Sequence, residues 1–213
     1  MARKLRPLAL ADFDQLPMSC GSCVFWESAG ERRRMCGSVC DPELQEAWYR
    51  QVTDEWGECG CVAREDDEIL GFIKYAPSRY FPQSSTFPSA PEDPTVPMIA
   101  CLHITADARH HGLGSVLLRA ALKDLLGRGE RKVEAFAAAQ RPAVIEDSPM
   151  LGIDFLLRNG FTVSRPDAQF PLMRLDLRSL VSWSENLEAV LNSLRFPTRV
   201  PSRAPASWTG GRR

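Results

Sequence analysis

Apolar and polar positions along the chain follow two periods, and together they lay out a series of strands and helices. Residues 5–10 predict a first strand, and Asp12 is the expected cap of a short helix reaching about residue 18. Residues 42–56 have helical spacing, with Pro42 in the first turn and Leu44, Ala47, Trp48 and Val52 expected on one face. Residues 59–64 and 69–76 flank the acidic turn Glu65-Asp66-Asp67-Glu68, a hairpin signal. The apolar run 97–104 predicts a fourth strand. Leu113, Val116, Leu117 and Ala120 then repeat at i, i+3, i+4 and i+7, predicting a helix over 113–126 with Arg119 and Lys123 towards solvent. A fifth strand is expected at 131–137, a helix at 149–159 ended by Gly160, and strands at 161–163 and 171–177. Residues 183–194 read as a last helix, capped by Ser184 and striped by Leu187, Val190, Leu191 and Leu194.

Three stretches lack such periodicity. Residues 20–41 read as irregular, with Arg32-Arg33-Arg34 in an exposed loop. Residues 77–97 hold six prolines and Ser78, Ser84, Ser85 and Ser89. A structureless segment of that length inside a compact domain reads as a substrate-side lid, with a disordered insertion as the alternative. Residues 195–213 carry prolines and arginines and no acid, which predicts a disordered, faintly basic tail. The expectation is one domain over 1–194 followed by that tail. Hairpins imply antiparallel pairing, and the helix between strands four and five implies a crossover. The fold class is therefore α/β (α+β), a mixed, mostly antiparallel sheet of about seven strands flanked by helices.

Composition narrows the function classes. At 213 residues, one domain with a sizeable core is expected. A net charge of −1 gives no global pull towards nucleic acid or an anionic membrane. No apolar run has membrane-spanning length, and Met1-Ala2-Arg3-Lys4 opens no signal-peptide core, so a cytoplasmic protein is expected. Seven cysteines are many for such a chain. Cys20-x2-Cys23-x12-Cys36-x3-Cys40 has the loose spacing of a structural four-thiolate zinc site, to which Cys59 and Cys61 could add ligands. Reduced thiols at a helix end and in a loop are the plainer reading, and no metal is assigned.

The chemistry concentrates in Arg109-His110-His111-Gly112-Leu113-Gly114-Ser115, between the fourth strand and the helix after it. A strand running through a glycine turn into a helix N-terminus builds an anion site, because first-turn N–H groups lack partners and the helix dipole favours negative charge. The pattern is neither the three-glycine dinucleotide fingerprint nor the Gly-Lys-Ser/Thr of a P-loop. Its form, Arg-x-x-Gly-x-Gly, resembles the acyl-coenzyme A pyrophosphate loop of the GNAT superfamily of N-acetyltransferases. Asp154-Phe155-Leu156-Leu157-Arg158-Asn159-Gly160-Phe161 resembles the family segment that precedes its sixth strand. The likeness spans roughly residues 5–177. Cys20-x2-Cys23-Val24-Phe25-Trp26-Glu27 and the last helix lie outside the generic pattern.

The resemblance implies a sheet splayed between strands four and five, with acetyl-CoA in the gap. It assigns the acetyl carbonyl and pantetheine to the main chain of Leu102, His103 and Ile104, and the pyrophosphate to Arg109, His110, His111, Gly112, Leu113, Gly114 and Ser115. It also implies direct attack of an amine, from a small molecule or a peptide, on the thioester. The tyrosine that commonly serves as the acid aligns with Leu156, and the strand positions that often carry Glu or His align with Met98 and Ala100. His103 is the candidate base, although strand alternation places it opposite Met98 and Ala100 unless a bulge re-aims it. Cys101, Tyr75, Tyr80 and Glu27 are further candidates. Two other readings compete: an acyl-CoA-binding sensor or scaffold without turnover, and a zinc-stabilised interaction module. The stripe on the last helix also permits a homodimer.

Overall fold

The computed structural model describes residues 3–17, 19–29, 40–109, 112–139 and 150–179. The hairpin about the acidic turn is formed by β2 (Gly60–Glu65) and β3 (Glu68–Pro77), with Asp66 in the left-handed conformation that lets so short a turn close. β1 (Arg3–Pro7) adds antiparallel to β2. It stops at Pro7 rather than continuing to residue 10, and Leu10–Gln15 forms a 3-10 turn. Asp12 does not cap that turn. Ala9 holds the cap position, and the buried Asp12 carboxylate accepts the Ala9 N–H while pairing with Arg6 and Arg64. Burial pushes the Asp12 carboxyl up, but the Arg6 hydrogen bonds, the Ala9 N–H and the two charges outweigh it and hold it below its ordinary range.

β4 (Pro97–Ile104) continues the sheet antiparallel to β3, and β5 (Lys132–Ala138) lies parallel to β4. β8 (Leu172–Asp176) and β7 (Thr162–Arg165) complete the order β1-β2-β3-β4-β5-β8-β7. The eighth described strand is β6 (Leu151–Gly152), parallel to the end of β5. It replaces the start of the predicted 149–159 helix, and α3 spans only Ile153–Arg158. The helix ends as expected at Gly160, with φ 86°.

Each face of the sheet carries its own core. α2 (Leu113–Gly127) covers one with Leu113, Leu117, Leu118, Ala121, Leu122 and Leu125, and Ala120 packs partly buried against the same core. α1 (Pro42–Glu55) lies with the other core, where it buries Gln45, Trp48 and Val52. Leu44, expected inside, is 38% exposed. Asp41 caps the helix by accepting the Leu44 N–H at 2.9 Å.

Residues 77–97 are not structureless. They form 3-10 turns at Ser78–Tyr80 and Pro82–Thr86 and bury Tyr80, Phe81, Gln83, Ser84, Ser89 and Val96. Phe87 lies 4.7 Å from the Phe136 ring of β5, and the Tyr80 carbonyl accepts the Trp48 indole N–H at 2.8 Å. The segment is a packed wall on the α1 face. Expected residues 183–213, the last helix and the tail, lie outside the described residues. No described helix is long and apolar enough to cross a membrane.

Leu117, wholly buried under α2, holds that helix to the sheet. Leu117→Ala is expected to lower unfolding free energy in urea by about 2–5 kcal/mol, through lost burial and a residual cavity. A loss below about 1 kcal/mol would show that α2 is not anchored there.

Candidate active site

β4 and β5 are in register at only two pairs, Met98 with Glu134 and Ile99 with Ala135. Beyond them the strands have no further pairing, and the sheet opens as a wedge between the end of β4 and the end of β5. A bulge lies at the same place: Tyr75 faces Ile99 and Lys74 faces Cys101, which leaves Ala100 without a partner across β3. The extra residue exchanges the faces of everything after it. Met98 and Ala100 lie in the α1-side core, as does Cys101, whereas Leu102 and Ile104 turn to the α2 side. His103 stacks on Phe72 of the α1-side core, with centroids 5.6 Å apart and planes 20° from parallel. The bulge therefore places His103 on the face of Met98 and Ala100, where simple alternation would not. Burial, with the charges of Lys74 and Arg109, drives its imidazole down to about 4, so it is neutral at physiological pH.

At the far end of β4 the chain makes a 3-10 turn, Ala106–Ala108, and enters α2. Gly112 caps α2 with φ 74°, a left-handed conformation that a Cβ would strain, and a Cβ built there would meet nothing within 4 Å. Gly114 packs its α-carbon face against β4 and α3, since a Cβ there would lie 3.5 Å from Leu102 and 3.6 Å from Phe155. Helical geometry leaves the N–H groups of Leu113, Gly114 and Ser115 without intrahelical acceptors, and the first turn holds no acid to compete for an anion. Arg109 folds back, its Nε donating to the Ile104 carbonyl at 3.1 Å, and so ties the loop to the end of β4. The structure thus brings together Leu102, Ile104, Arg109 and Gly112 to Ser115. His110 and His111 lie outside the described residues.

The remaining candidates divide between the faces. Tyr75 lies under α2 with its hydroxyl donating to Asp124 at 2.9 Å; burial first, then the Asp124 charge, raise its pKa. The Tyr80 hydroxyl donates to Glu55 at 2.8 Å. Leu156 is wholly buried in the α2-side core. Glu27 is different. Its carboxylate meets Lys74 Nζ at 2.5 Å, with side-chain exposures of 1% and 5%. The Lys74 ammonium also lies 5.0 Å from the Trp48 ring centroid. Burial opposes its charge, but Glu27 and the thiols of Cys101 and Cys23 outweigh burial and raise its pKa.

Sequence reasoning missed Lys74, Gln45 and Glu134. A lysine in the middle of the apolar strand 69–76 was the available signal for the first. Glu134 lies at the closed end of the wedge, where Arg174 donates twice to one of its oxygens, at 2.7 and 3.0 Å. Burial raises its carboxyl above the ordinary range despite Arg174. The buried atoms without a hydrogen-bond partner among the described residues include Glu27 Oε2, Trp26 Nε1, both Gln45 amide atoms and Glu134 Oε2.

The cysteines form no group of three or more metal-binding side chains among the described residues, and Cys36 lies outside them. Cys23 and Cys40 face one another across an isolated antiparallel bridge. Burial pushes the Cys59 thiol up to about 12 and the Cys61 thiol up to about 11.

Comparison with known proteins agrees with this architecture. Residues 24–146, more than half of the chain, match the sequence model of the Acetyltransferase (GNAT) family. Among solved structures, an N-acetyltransferase from Staphylococcus aureus Mu50 is similar at 15% identity and TM-score 0.56, over 83% of this chain and 99% of that one. The putative acetyltransferase yncA from Salmonella typhimurium, solved with its cofactor acetyl-CoA, is similar at 17% identity and TM-score 0.53, over 83% and 95%. Ard1 from Thermoplasma volcanium is similar at 16% identity and TM-score 0.52, over 83% and 98%. No curated protein matches the chain.

The His103 environment makes a sharp titration prediction. Because the folded value lies near 4 and the unfolded value near 6.5, the unfolded chain binds the proton first as pH falls. Stability should therefore drop between those values, by at most about 1.4 kcal/mol per pH unit from this group, and His103→Gln should remove that slope. The His103 ring signal, assigned by its loss in the variant, should titrate near 4; a midpoint near 6.5 would contradict the burial seen here.

Proposed function

Because the chain belongs to the GNAT acetyltransferase family, and so is an acetyl-CoA-dependent acyltransferase, we propose that it transfers acetyl to a primary amine of a small molecule or peptide by direct attack of the amine on the thioester. The observation that carries this reading is the helix N-terminus presented beside the opened end of β4. Gly112 holds a conformation suited to glycine, a Cβ there would meet nothing within 4 Å, and three N–H groups follow without intrahelical acceptors. Those features fit a pyrophosphate, which is doubly anionic and rich in acceptors.

On this reading the loop from Arg109 to Ser115, through His110 and His111, holds the pyrophosphate, Arg109 through its side chain because its backbone N–H already donates to the Ala106 carbonyl, and the main chain of Leu102, His103 and Ile104 holds the pantetheine and acetyl carbonyl. Acetyl-CoA supplies an activated acyl group, so no protein nucleophile is required. Backbone N–H donors fixed by the sheet meet the charge that develops on the carbonyl oxygen and need no reorganisation as it appears. The wedge holds the reacting groups together in a water-poor site, which adds proximity to electrostatics. The attacking nitrogen forms the N–C bond, the C–S bond breaks, and the sulfur leaves with a proton. Neutral His103, stacked on Phe72, would line the wedge on the α1 side.

Calorimetric titration with acetyl-CoA tests the assignment. The wild type is expected to bind with micromolar Kd, and Gly112→Glu/Gly114→Glu, which places carboxylates at the anion site, to weaken binding by at least about 100-fold. Equal binding by both proteins, or none by the wild type, would overturn the phosphate-loop assignment.

A further inference from the structure

The dipeptide Trp26-Glu27 spans the wedge on the face opposite α2. Trp26 stacks on Phe136 of β5, with centroids 5.6 Å apart and planes 22° from parallel; Phe136 immediately follows the last residue of β5 that pairs with β4. Glu27 reaches the other way, to Lys74 of β3, whose register partner is Cys101 of β4, immediately after the bulge. The two side chains thus bracket β4 where it leaves β5. The Trp26 carbonyl accepts the Gln83 N–H at 3.2 Å, so the 77–97 wall fixes the dipeptide's main chain.

Stability alone does not account for this arrangement. A buried ion pair gains little over an apolar pair of similar volume, because the charges lose their hydration. One carboxylate oxygen of Glu27 is occupied by Lys74, and the other is buried with no partner, as is the neighbouring indole N–H of Trp26. A buried, unsatisfied carboxylate oxygen is costly in a folded protein unless a ligand completes it. Among the described residues the other carboxylate in this condition, Glu134, lies at the closed end of the wedge and is held by the half-exposed Arg174.

We propose that Glu27 is a catalytic residue, the group that receives the acceptor's amine: its unpartnered oxygen takes a hydrogen bond and then a proton from the incoming ammonium, while Lys74 acts as a positioning residue that fixes the carboxylate. The proposal rests on the acetyl-transfer reading above and names the side of the sheet from which the acceptor arrives. With α2 and the phosphate loop on one face, the acceptor reaches the thioester from the other, past Trp26 and Glu27. The ammonium gives one proton to Glu27 Oε2, the freed lone pair attacks the carbonyl carbon, and the second departing N–H proton ends on the coenzyme sulfur. The overall balance is one amide, one thiol and one proton released to solvent from Glu27. The charged or titratable neighbours of the pair are Lys74 on β3, Cys101 and His103 on β4, and Cys23 on the dipeptide's own segment.

The test combines binding, turnover and stability. Wild type, Glu27→Gln, Glu27→Leu and Glu27→Leu/Lys74→Met are titrated with acetyl-CoA, then assayed for thiol release with phenethylamine, tryptamine, spermidine and a short peptide bearing a free amino terminus. Glu27→Gln is expected to keep acetyl-CoA affinity and to lose at least about 100-fold in kcat with the amine that the wild type uses best. Its kcat/KM should also climb with pH towards the amine's own pKa, where the wild type has already levelled off. The apolar double variant should regain the thermal stability lost in Glu27→Leu but none of the activity. Turnover in Glu27→Gln within about threefold of wild type, or activity restored by the apolar pair, would overturn the proposal. So would a wild type that binds acetyl-CoA but acetylates none of these amines, which leaves the cofactor assignment standing. A wild type that fails to bind acetyl-CoA removes both.

Discussion

The structure depends on the short contact between β4 and β5. Two register pairs hold the strands together, and beyond Ile99 the backbone of β4 has a neighbour only on its β3 side. A parallel sheet with unpaired main chain inside a folded domain is unfavourable unless something supplies the missing partners. The bulge at Ala100 coincides with the departure, so the same irregularity that opens the sheet also sends Leu102 to the α2 face and His103 to the α1 face. α2 packs on one face through its leucine-rich stripe, and Trp26, Phe87 and Phe136 line the other. A slot bounded by polar main chain and roofed by apolar side chains suits a long thioester with an amide-bearing arm. The Gly112 cap sets where α2 begins, and the contact of Gly114 with Leu102 puts that N-terminus beside the end of β4.

Charge is distributed about this slot in keeping with its chemistry. The N-terminus of α2 presents backbone dipoles and has no acidic residue in its first turn, which favours an anion there. The opposite face carries a buried lysine–glutamate pair, neutral in sum, with one oxygen unspent. Two unsatisfied buried atoms, Glu27 Oε2 and the neighbouring Trp26 Nε1, fall together on this face, and local conflict of this kind collects at functional sites. By contrast the buried Asp12 carboxylate is fully engaged, receiving Arg6, Arg64 and the Ala9 N–H.

Much of the framework was legible because local pattern and tertiary role agree. The acidic turn, the period of α2 and the left-handed Gly112 and Gly160 each have a signature within a few residues. The bulge has none, since one extra residue in the apolar run 97–104 leaves composition and periodicity unchanged. The Glu27–Lys74 pair joins residues far apart in sequence, and only the fold brings them together. Residues 77–97 look structureless because their order comes from contacts made at a distance, Phe87 on Phe136 and Ser89 on the Phe170 carbonyl, rather than from repeating hydrogen bonds. The buried face of α1 was misphased for a related reason: hydrophobicity favours Leu44 inside, but the face that carries Trp48 and Val52 into the core takes Gln45 with it.

The central claim is that one ligand bridges the opened half of β4 and the N-terminus of α2. Amide chemical shifts of 15N-labelled protein, followed during titration with coenzyme A, read both places at once. The account predicts that the amides of Cys101 to Ile104 and of Gly112 to Ser115 shift together along one saturation curve, while those of β1 and the outer face of α1 stay in place. Shifts confined to either segment alone, or centred on other residues, would contradict it.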